Sequence, residues 1–305
     1  MVKSDLIKQE CAICGNNAPF EVLYPANFKA AQIDEDIFSA RRIPDCCHYR
    51  LVRCLKCGLI YSNPILEEEK IKELYKRSKL TYEPEIKNLK KTYGDYLKKV
   101  IRVIPGKGNL LEIGCGNGFF LQEALKQGFK KVWGVEPSLS AVEKAPKRIK
   151  QNIKNEIFHQ GLFKNNFFDV ICFFQTLDHI VDPNKFLKTC YEVLKEKGVI
   201  FCIVHDTDSL SARLMGEKTP IFDIEHTFLY NKKTLRQIFE KNNFENIEEL
   251  DIANEYSLRY WISLFPLGEH LKAFFTKSLT FFHLQDKSIK IKVGNIGIVA
   301  QKPKK

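Results

Sequence analysis

From about residue 110 onward, short apolar runs alternate with longer amphipathic stretches, a rhythm that predicts strands and helices in turn. Strands are expected at residues 110–113, 131–135, 167–174 and 199–204. The run at 167–174 is apolar enough to be covered on both faces, as a central parallel strand is. Helices are expected at 119–127, stopped by Gly128; after the cap Ser138; from Asp182-Pro183 to Leu194; and at 232–242. A strand near 245–252 and a last one at 296–301 complete the set. The alternation specifies an α/β fold on a doubly wound, mostly parallel sheet. Two helices are expected ahead of it, at 66–79 and 84–104, with the turn 105–108 leading into the first core strand. Residues 1–65 follow a different pattern and close with a strand that Pro64 stops. The chain thus divides into a module at 1–65, a helical linker or cap at 66–105 and the α/β domain at 106–305.

The first core strand runs into Glu112-Ile-Gly-Cys-Gly-Asn-Gly118. Gly114, Gly116 and Gly118 lack Cβ atoms and tolerate unusual φ/ψ, so the backbone on either side of Cys115 can approach a bound adenosyl group closely. A dinucleotide loop would carry a small residue where Phe119 stands, and no phosphate-binding lysine follows the turn; both points argue against NAD and ATP. Glu112 suits a ligand with a cationic ammonium or sulfonium and would repel a pyrophosphate. Glu136 ends the next strand about twenty residues later, where a carboxylate accepts ribose hydroxyls. Together these features point to S-adenosylmethionine as cofactor. A ligand at the carboxyl ends of the strands would also meet Pro137, the 159–163 loop and the strand end bearing Gln175 and Thr176. Gln160 and the main chain of Leu162 are the candidates for the adenine edge.

Five segments carry a resemblance: Glu112 to Gly118, Val135-Glu-Pro-Ser138, Phe168-Asp-Val-Ile171, Leu177-Asp-His179 and Leu194-Lys-Glu-Lys-Gly198. In that order they resemble the successive motifs of the Rossmann-like, class I S-adenosylmethionine-dependent methyltransferases. The resemblance implies a seven-stranded sheet and methyl transfer from that cofactor.

Cysteine usage changes the picture at the N-terminus. Cys11-x-x-Cys14 and Cys54-x-x-Cys57 are each followed by glycine, Gly15 and Gly58. Two such knuckles supply the closed tetrahedral shell of a structural Zn²⁺, whereas a redox dithiol needs one pair in a βαβ setting. Cys46, Cys47 and His48 lie between the knuckles, either as loop thiols beside a histidine or as a replacement ligand or second metal site. Cys115, Cys172, Cys190 and Cys202 sit in apolar or helical contexts and read as core packing. The start has no apolar signal core and no run approaches the roughly 18 apolar residues that cross a bilayer, so a cytoplasmic protein without a transmembrane segment is expected. A formal charge of +11 suits nucleic acid, anionic lipid or an acidic substrate, but the lysines are spread along helices as solvated faces and single out none of these.

Transfer from a sulfonium needs alignment, exclusion of water and removal of one acceptor proton. Bases are sought after the fourth and fifth core strands: Asp178 and His179, then His205, Asp206 and Asp208, and finally Glu225-His226. His226 is the favoured base because histidine titrates near neutral pH and the adjacent Glu225 can orient it. His179 is expected to shape the pocket, and Tyr82 is a candidate to close over the methionine end of the cofactor. Cysteine pairs, glycine turn and downstream Glu-His are together similar to the sugar C-methyltransferases of nucleotide-linked deoxysugars. Those carry Tyr-His-Glu-His where this chain has Asp223-Ile-Glu-His226, and they add a further large domain. With its runs Asp206-x-Asp-Ser-Leu-Ser-Ala-Arg213 and Asn254-x-Tyr-x-Leu-x-Tyr-Trp261, the chain is similar over nearly its whole length to zinc-bearing methyltransferases of bacterial polysaccharide and secondary-metabolite clusters. That resemblance names no acceptor; the expected acceptor is a small molecule, a sugar or glycan or secondary-metabolite precursor, with O-, N- and C-transfer open. The alternatives are an RNA or DNA methyltransferase and a non-catalytic cofactor-binding scaffold. Against nucleic acid stands Phe174-Gln-Thr-Leu177, which lacks the Asn/Asp-Pro-Pro-aromatic clamp used on base amines; against a scaffold stand Glu112 and Glu136. An aromatic insertion at about 253–290, with Tyr256, Tyr260, Trp261, Phe265, Phe274, Phe275, Phe281 and Phe282, is expected to be helical. It is a buried pair, a lid over the acceptor, a homodimer contact or a membrane-surface contact.

Overall fold

The computed structural model describes residues 6–15, 17–28, 47–78, 83–104, 106–265 and 267–304. Of the residues singled out above, Cys46 and Tyr82 lie outside the described residues.

Seven strands form one sheet in the order Glu245–Asp251, Asn295–Gln301, Leu194–His205, Phe168–Phe174, Asn109–Ile113, Lys131–Val135, Ile153–Lys154. Neighbours are parallel except that Asn295–Gln301 runs antiparallel to both strands beside it. This is the expected doubly wound, mostly parallel α/β sheet. The chain starts it in the middle, at Asn109–Ile113, winds to one side, and returns to Phe168–Phe174 on the other. The carboxyl ends of those two strands therefore flank the switch point where open α/β sheets take their ligands.

Alternation along the strands divides the core into two layers. Leu111, Ile113, Ile171, Phe173, Ile200 and Cys202 face one side, while Leu110, Val170, Cys172, Phe174, Val199 and Phe201 face the other. Both sets are buried because helices cover both faces, which is why the central strands read as nearly unbroken apolar runs. Helix Ile86–Val100 covers the second face with Leu89, Tyr93, Tyr96 and Leu97. The outer strand Glu245–Asp251 carries its acidic residues along an exposed edge, which discourages pairing with another chain.

The N-terminal cysteine module is welded to this domain. Its antiparallel sheet joins Phe20–Tyr24, Leu51–Cys54 and Ile60–Ser62 to a fourth strand, Phe228–Leu229, contributed by the segment just after His226. Tyr230 then bridges to Asp206 at the end of a core strand. Helix Glu68–Arg77 follows the module and buries Ile71, while Leu74 and Tyr75 pack on the same cluster.

The insertion differs from a purely helical one. Strands Asn254–Ser257 and Ser288–Ile291 pair antiparallel and brace helices Leu258–Leu264 and Glu269–Phe281. The first helix buries Trp261, whose Nε1–H donates to the Ile289 carbonyl at 3.2 Å. Phe274, Phe281 and Phe282 of the second helix and its end are 63%, 79% and 66% exposed. The aromatic residues that the sequence groups together thus separate into a cavity-lining half and an outward half.

Candidate active site

The glycine turn forms as its residues require. Gly114, Gly116 and Gly118 have φ of 73°, 52° and 70°, the left-handed region that costs glycine nothing. A Cβ on Gly114 would lie 2.6 Å from Thr176 Oγ1, and one on Gly118 2.5 Å from Ile149 Cγ2. Cys115 is buried beneath the turn, in the space left by Gly134, where a Cβ would meet its Sγ at 2.5 Å.

Glu136 ties the turn to the next strand. Its Oε2 accepts the Gly116 N–H at 2.8 Å and its Oε1 accepts the Ser138 N–H at 2.9 Å. Each carboxylate oxygen retains a second acceptor site for a ligand hydroxyl. Burial raises the Glu136 pKa, against the lowering effect of the two N–H groups. Glu112 is 3% exposed, and its Oε2 is buried without a hydrogen-bond partner. Burial, followed by the charge of Glu136, pushes its pKa well above the ordinary value. An orphaned carboxylate next to a second one is a site that a cation completes.

Both lie on a cavity of about 870 Å³ at the switch point, together with Gly114, Pro137, Gln160, Gln175 and Thr176. Gln175 has φ of 49°, a strained value for a side-chain-bearing residue, and neither polar atom of its amide has a hydrogen-bond partner. Thr176 Oγ1 donates to the Phe174 carbonyl at 3.0 Å. The two adenine candidates are engaged within the protein. Gln160 Nε2 donates to Glu192 Oε2 at 3.1 Å. The Leu162 N–H donates to the His159 carbonyl at 3.3 Å, closing a turn within the 159–163 loop. Ile157 and Phe158, which the sequence does not single out, line the cavity beside His159.

On the same cavity three imidazoles gather around one buried aspartate. Asp178 Oδ2 is 2.6 Å from His205 Nδ1, Asp178 Oδ1 is 3.9 Å from His179 Nε2, and the His226 ring centroid lies 4.8 Å from that of His179 and 4.7 Å from that of His205. Burial alone would raise the Asp178 pKa, but the hydrogen bond from His205 and the charges of His205, His179 and His226 hold it well below the usual carboxylate range. His226 Nδ1 sits 2.7 Å from the Ile221 carbonyl. A carbonyl only accepts, so Nδ1 carries the hydrogen and Nε2 keeps the lone pair in the neutral ring. A main-chain oxygen therefore holds the ring through Nδ1, where the sequence suggests the neighbouring Glu225; Glu225 itself lines the same cavity.

Tyr75 joins this cluster. Its hydroxyl is 2.8 Å from His179 Nδ1 and 3.4 Å from the Glu225 carbonyl oxygen. Burial and then the charges of Glu225, Asp223 and Asp178 raise its pKa well above the ordinary value. Sequence reasoning passes over Tyr75. The available signal is its place one turn after Ile71 on the buried face of an amphipathic helix, where a tyrosine brings a polar tip inside. Asp178, His179 and His226 each offer a ligand atom within 4.8 Å of the others, so they form a group able to hold a cation.

The cysteine knuckles converge as their spacing predicts. One ligand atom from each of Cys11, Cys14, Cys54 and Cys57 lies within 4.8 Å of the rest, and the Cys11 and Cys57 sulfurs are 3.5 Å apart. Sulfurs around a tetrahedral zinc, with Zn–S of about 2.3 Å, are about 3.8 Å apart, so the four fit that ion. Each knuckle closes with the same bond: the Gly15 N–H to the Cys11 carbonyl at 2.8 Å and the Gly58 N–H to the Cys54 carbonyl at 2.9 Å. Both glycines have positive φ, 75° and 87°. His48 is engaged elsewhere, by the Tyr49 carbonyl at 2.7 Å and Glu217 at 3.2 Å.

Comparison with known proteins bears on the same region. A family model described as a methyltransferase domain matches residues 86–249. The chain is 29% identical over 117 residues to a ubiquinone biosynthesis O-methyltransferase of Actinobacillus pleuropneumoniae, a match covering 35% of this chain and 49% of that one. It is 28% identical over 178 residues to a tRNA U34 carboxymethyltransferase of Helicobacter pylori, covering 55% of this chain and 67% of that one. The chain thus spans about half the length of the first relative and about two thirds of the second. Among solved structures, a SAM-dependent methyltransferase from Archaeoglobus fulgidus superposes with a TM-score of 0.49 at 18% identity, covering 72% of this chain and 97% of that one. Glycine turn, paired carboxylates and the central strands of the sheet all fall within the matched region, which is more than half of the chain; the protein belongs to the methyltransferase domain family.

Proposed function

We propose that the enzyme methylates a small molecule, a sugar or a glycan or secondary-metabolite precursor, and that His226 removes the acceptor proton. The observation that carries this reading is the presence, on one cavity, of the two carboxylates of the glycine-turn end and the histidine cluster over Asp178. S-adenosylmethionine, when bound, supplies an electrophilic sulfonium methyl. Glu112 would hold its cationic end, Glu136 would accept from the ribose hydroxyls, and the apolar walls would exclude water. His226 accepts the acceptor's proton at Nε2 because Nδ1–H is fixed on the Ile221 carbonyl. Asp178 fixes the His205 ring, and Tyr75 the His179 ring, so that the acceptor meets a preset wall. Glu225 adds negative charge beside the imidazolium that forms. Residues 1–65 are read as a structural zinc module held by Cys11, Cys14, Cys54 and Cys57, residues 66–105 as a cap that brings Tyr75, and 106–305 as the catalytic domain.

The relatives named for ubiquinone synthesis and for tRNA mark the two acceptor classes to be separated. Purified enzyme with methyl-labelled cofactor, offered nucleotide sugars, sugar phosphates and bulk tRNA, should label a small molecule. Label in tRNA alone would overturn the reading. With the acceptor in hand, His226→Ala should lower turnover about 10²–10⁴-fold, the range for general base catalysis, and leave S-adenosylhomocysteine affinity within about twofold. Glu225→Gln should cost less.

One observation favours a second reading: Asp178 Oδ1 is buried without a hydrogen-bond partner, next to His179 and His226. A divalent cation there would lower the acceptor's pKa in place of a base. Full turnover by protein holding one zinc per chain and no other metal selects the base; a second metal required for turnover selects the cation.

A further inference from the structure

Helix Glu269–Phe281 packs on Leu258–Leu264, which contributes Tyr260, Trp261 and Leu264 to the cavity wall. Leu271, Phe274, Phe275 and Phe281, with Phe282 just beyond, recur at helical spacing and gather on one side of its wheel. All five are exposed, between 43% and 79%. A soluble surface seldom leaves so many large apolar groups together uncovered.

Two further observations say what covers them. The first is continuity with the cavity. Leu210 and Leu214, 68% and 78% exposed, stand one turn apart on helix Leu210–Met215 and line the same cavity as Leu264, Phe265 and Leu267. The apolar helix therefore extends from an apolar rim. The second is charge. Residues 258–292 carry six lysines and arginines against two acidic residues; Arg259 is paired with Asp286 and Lys292 with Asp251, and Lys272, Lys277, Lys287 and Lys290 keep the segment net positive, in a chain whose formal charge is +11. A second copy of this chain would bring equal positive charge to the same face, whereas an anionic bilayer brings the opposite sign. Among the described residues no helix is long and apolar enough to cross a membrane, which leaves association with its surface.

We propose that Glu269–Phe281 and the adjoining rim form a docking surface for an anionic membrane, with the phenylalanines in the interface and the lysines on the headgroups. The cavity mouth then faces the bilayer.

Vesicle co-sedimentation of the full chain tests this, with S-adenosylhomocysteine affinity as the check on folding. Vesicles of phosphatidylcholine with about 30% phosphatidylglycerol should bind the protein at least about tenfold more tightly than phosphatidylcholine alone, and the difference should shrink at about 0.5 M salt. The triple variant Phe274→Ser, Phe281→Ser, Phe282→Ser should lose at least about tenfold in binding while its affinity for S-adenosylhomocysteine stays unchanged. Lys277→Ala should lose about fivefold. Equal binding by the triple variant, or no binding to anionic vesicles, overturns the proposal. So does a dimer in sedimentation velocity that the serine substitutions abolish while no vesicles are bound.

Discussion

Glu112→Gln separates a carboxylate that meets a cation from one that merely packs. In the free protein Glu112 is 3% exposed, with an orphaned Oε2 and Glu136 as neighbour, and its pKa stands well above the ordinary value because of burial first and that neighbour second. A cationic ligand favours the ionised form, so binding at a pH below the free-protein pKa must release a proton. Each pH unit of descent below that pKa then lowers the affinity about tenfold, or about 1.4 kcal/mol, and the dependence levels off above the pKa. In the Gln variant the slope disappears. Above the pKa it should bind about 10–150-fold more weakly, the equivalent of about 1.5–3 kcal/mol for a hydrogen bond to a charged group, and the two curves should approach each other as pH falls. Stability of the free protein moves the other way. A carboxyl whose folded pKa is raised contributes stability that is present below its unfolded pKa and lost as pH rises through the folded one. The ligand-free variant should therefore melt higher than the parent at alkaline pH. Calorimetry with S-adenosylhomocysteine in buffers of different ionisation enthalpy counts the protons directly. No proton release, together with superimposable pH curves for the two proteins, would mean that Glu112 does not ionise against the ligand.

The cysteine group should give about one zinc per chain by elemental analysis. Cys54→Ser should lose the metal and expose residues 1–65 to protease; metal-free protein equally resistant there would contradict this. Gly118→Ala meets both a φ of 70° and a Cβ position 2.5 Å from Ile149 Cγ2. It should cost about 2–4 kcal/mol in urea denaturation, and a loss below about 1 kcal/mol would show that the turn relaxes freely. Asp178→Asn keeps the shape but removes the charge that His205 meets at 2.6 Å. It should cost about 1.5–3 kcal/mol at neutral pH, a difference that fades as pH falls through the depressed pKa of the parent aspartate, and an unchanged urea midpoint would contradict the pairing.

The parts of this molecule legible in the sequence are those set by local pattern. The strand at Phe168–Phe174 is buried on both faces, so its run of apolar residues announces it; the glycines at 114, 116 and 118 announce the turn because few other residues adopt it. The cysteine pairs give their own knuckles through two glycines at fixed offsets. The histidine cluster is different. His179, His205 and His226 are each visible as candidates, but their meeting over Asp178 depends on which strand ends lie side by side, a long-range fact of the sheet order. Tyr75 arrives from a helix more than a hundred residues earlier in the chain. Likewise the pairing of Phe228–Leu229 with the cysteine module leaves no mark in composition, because a two-residue strand is too short to show periodicity. The exposed half of the insertion reads like its buried half, since hydrophobicity alone does not say which aromatic residues the fold covers.

In the proposed reaction one cavity brings the cofactor's reactive end to the histidine cluster. The most direct measurement is a crystal structure of the enzyme with S-adenosylhomocysteine. The ribose should lie on Glu136, the amino group near Glu112, and the sulfur should be turned toward His179 and His226, within the distance that one acceptor hydroxyl can span. A nucleoside bound away from the glycine turn, or a sulfur more than roughly 10 Å from the His226 ring, would contradict it, because a base needs hydrogen-bond reach or a single bridging water.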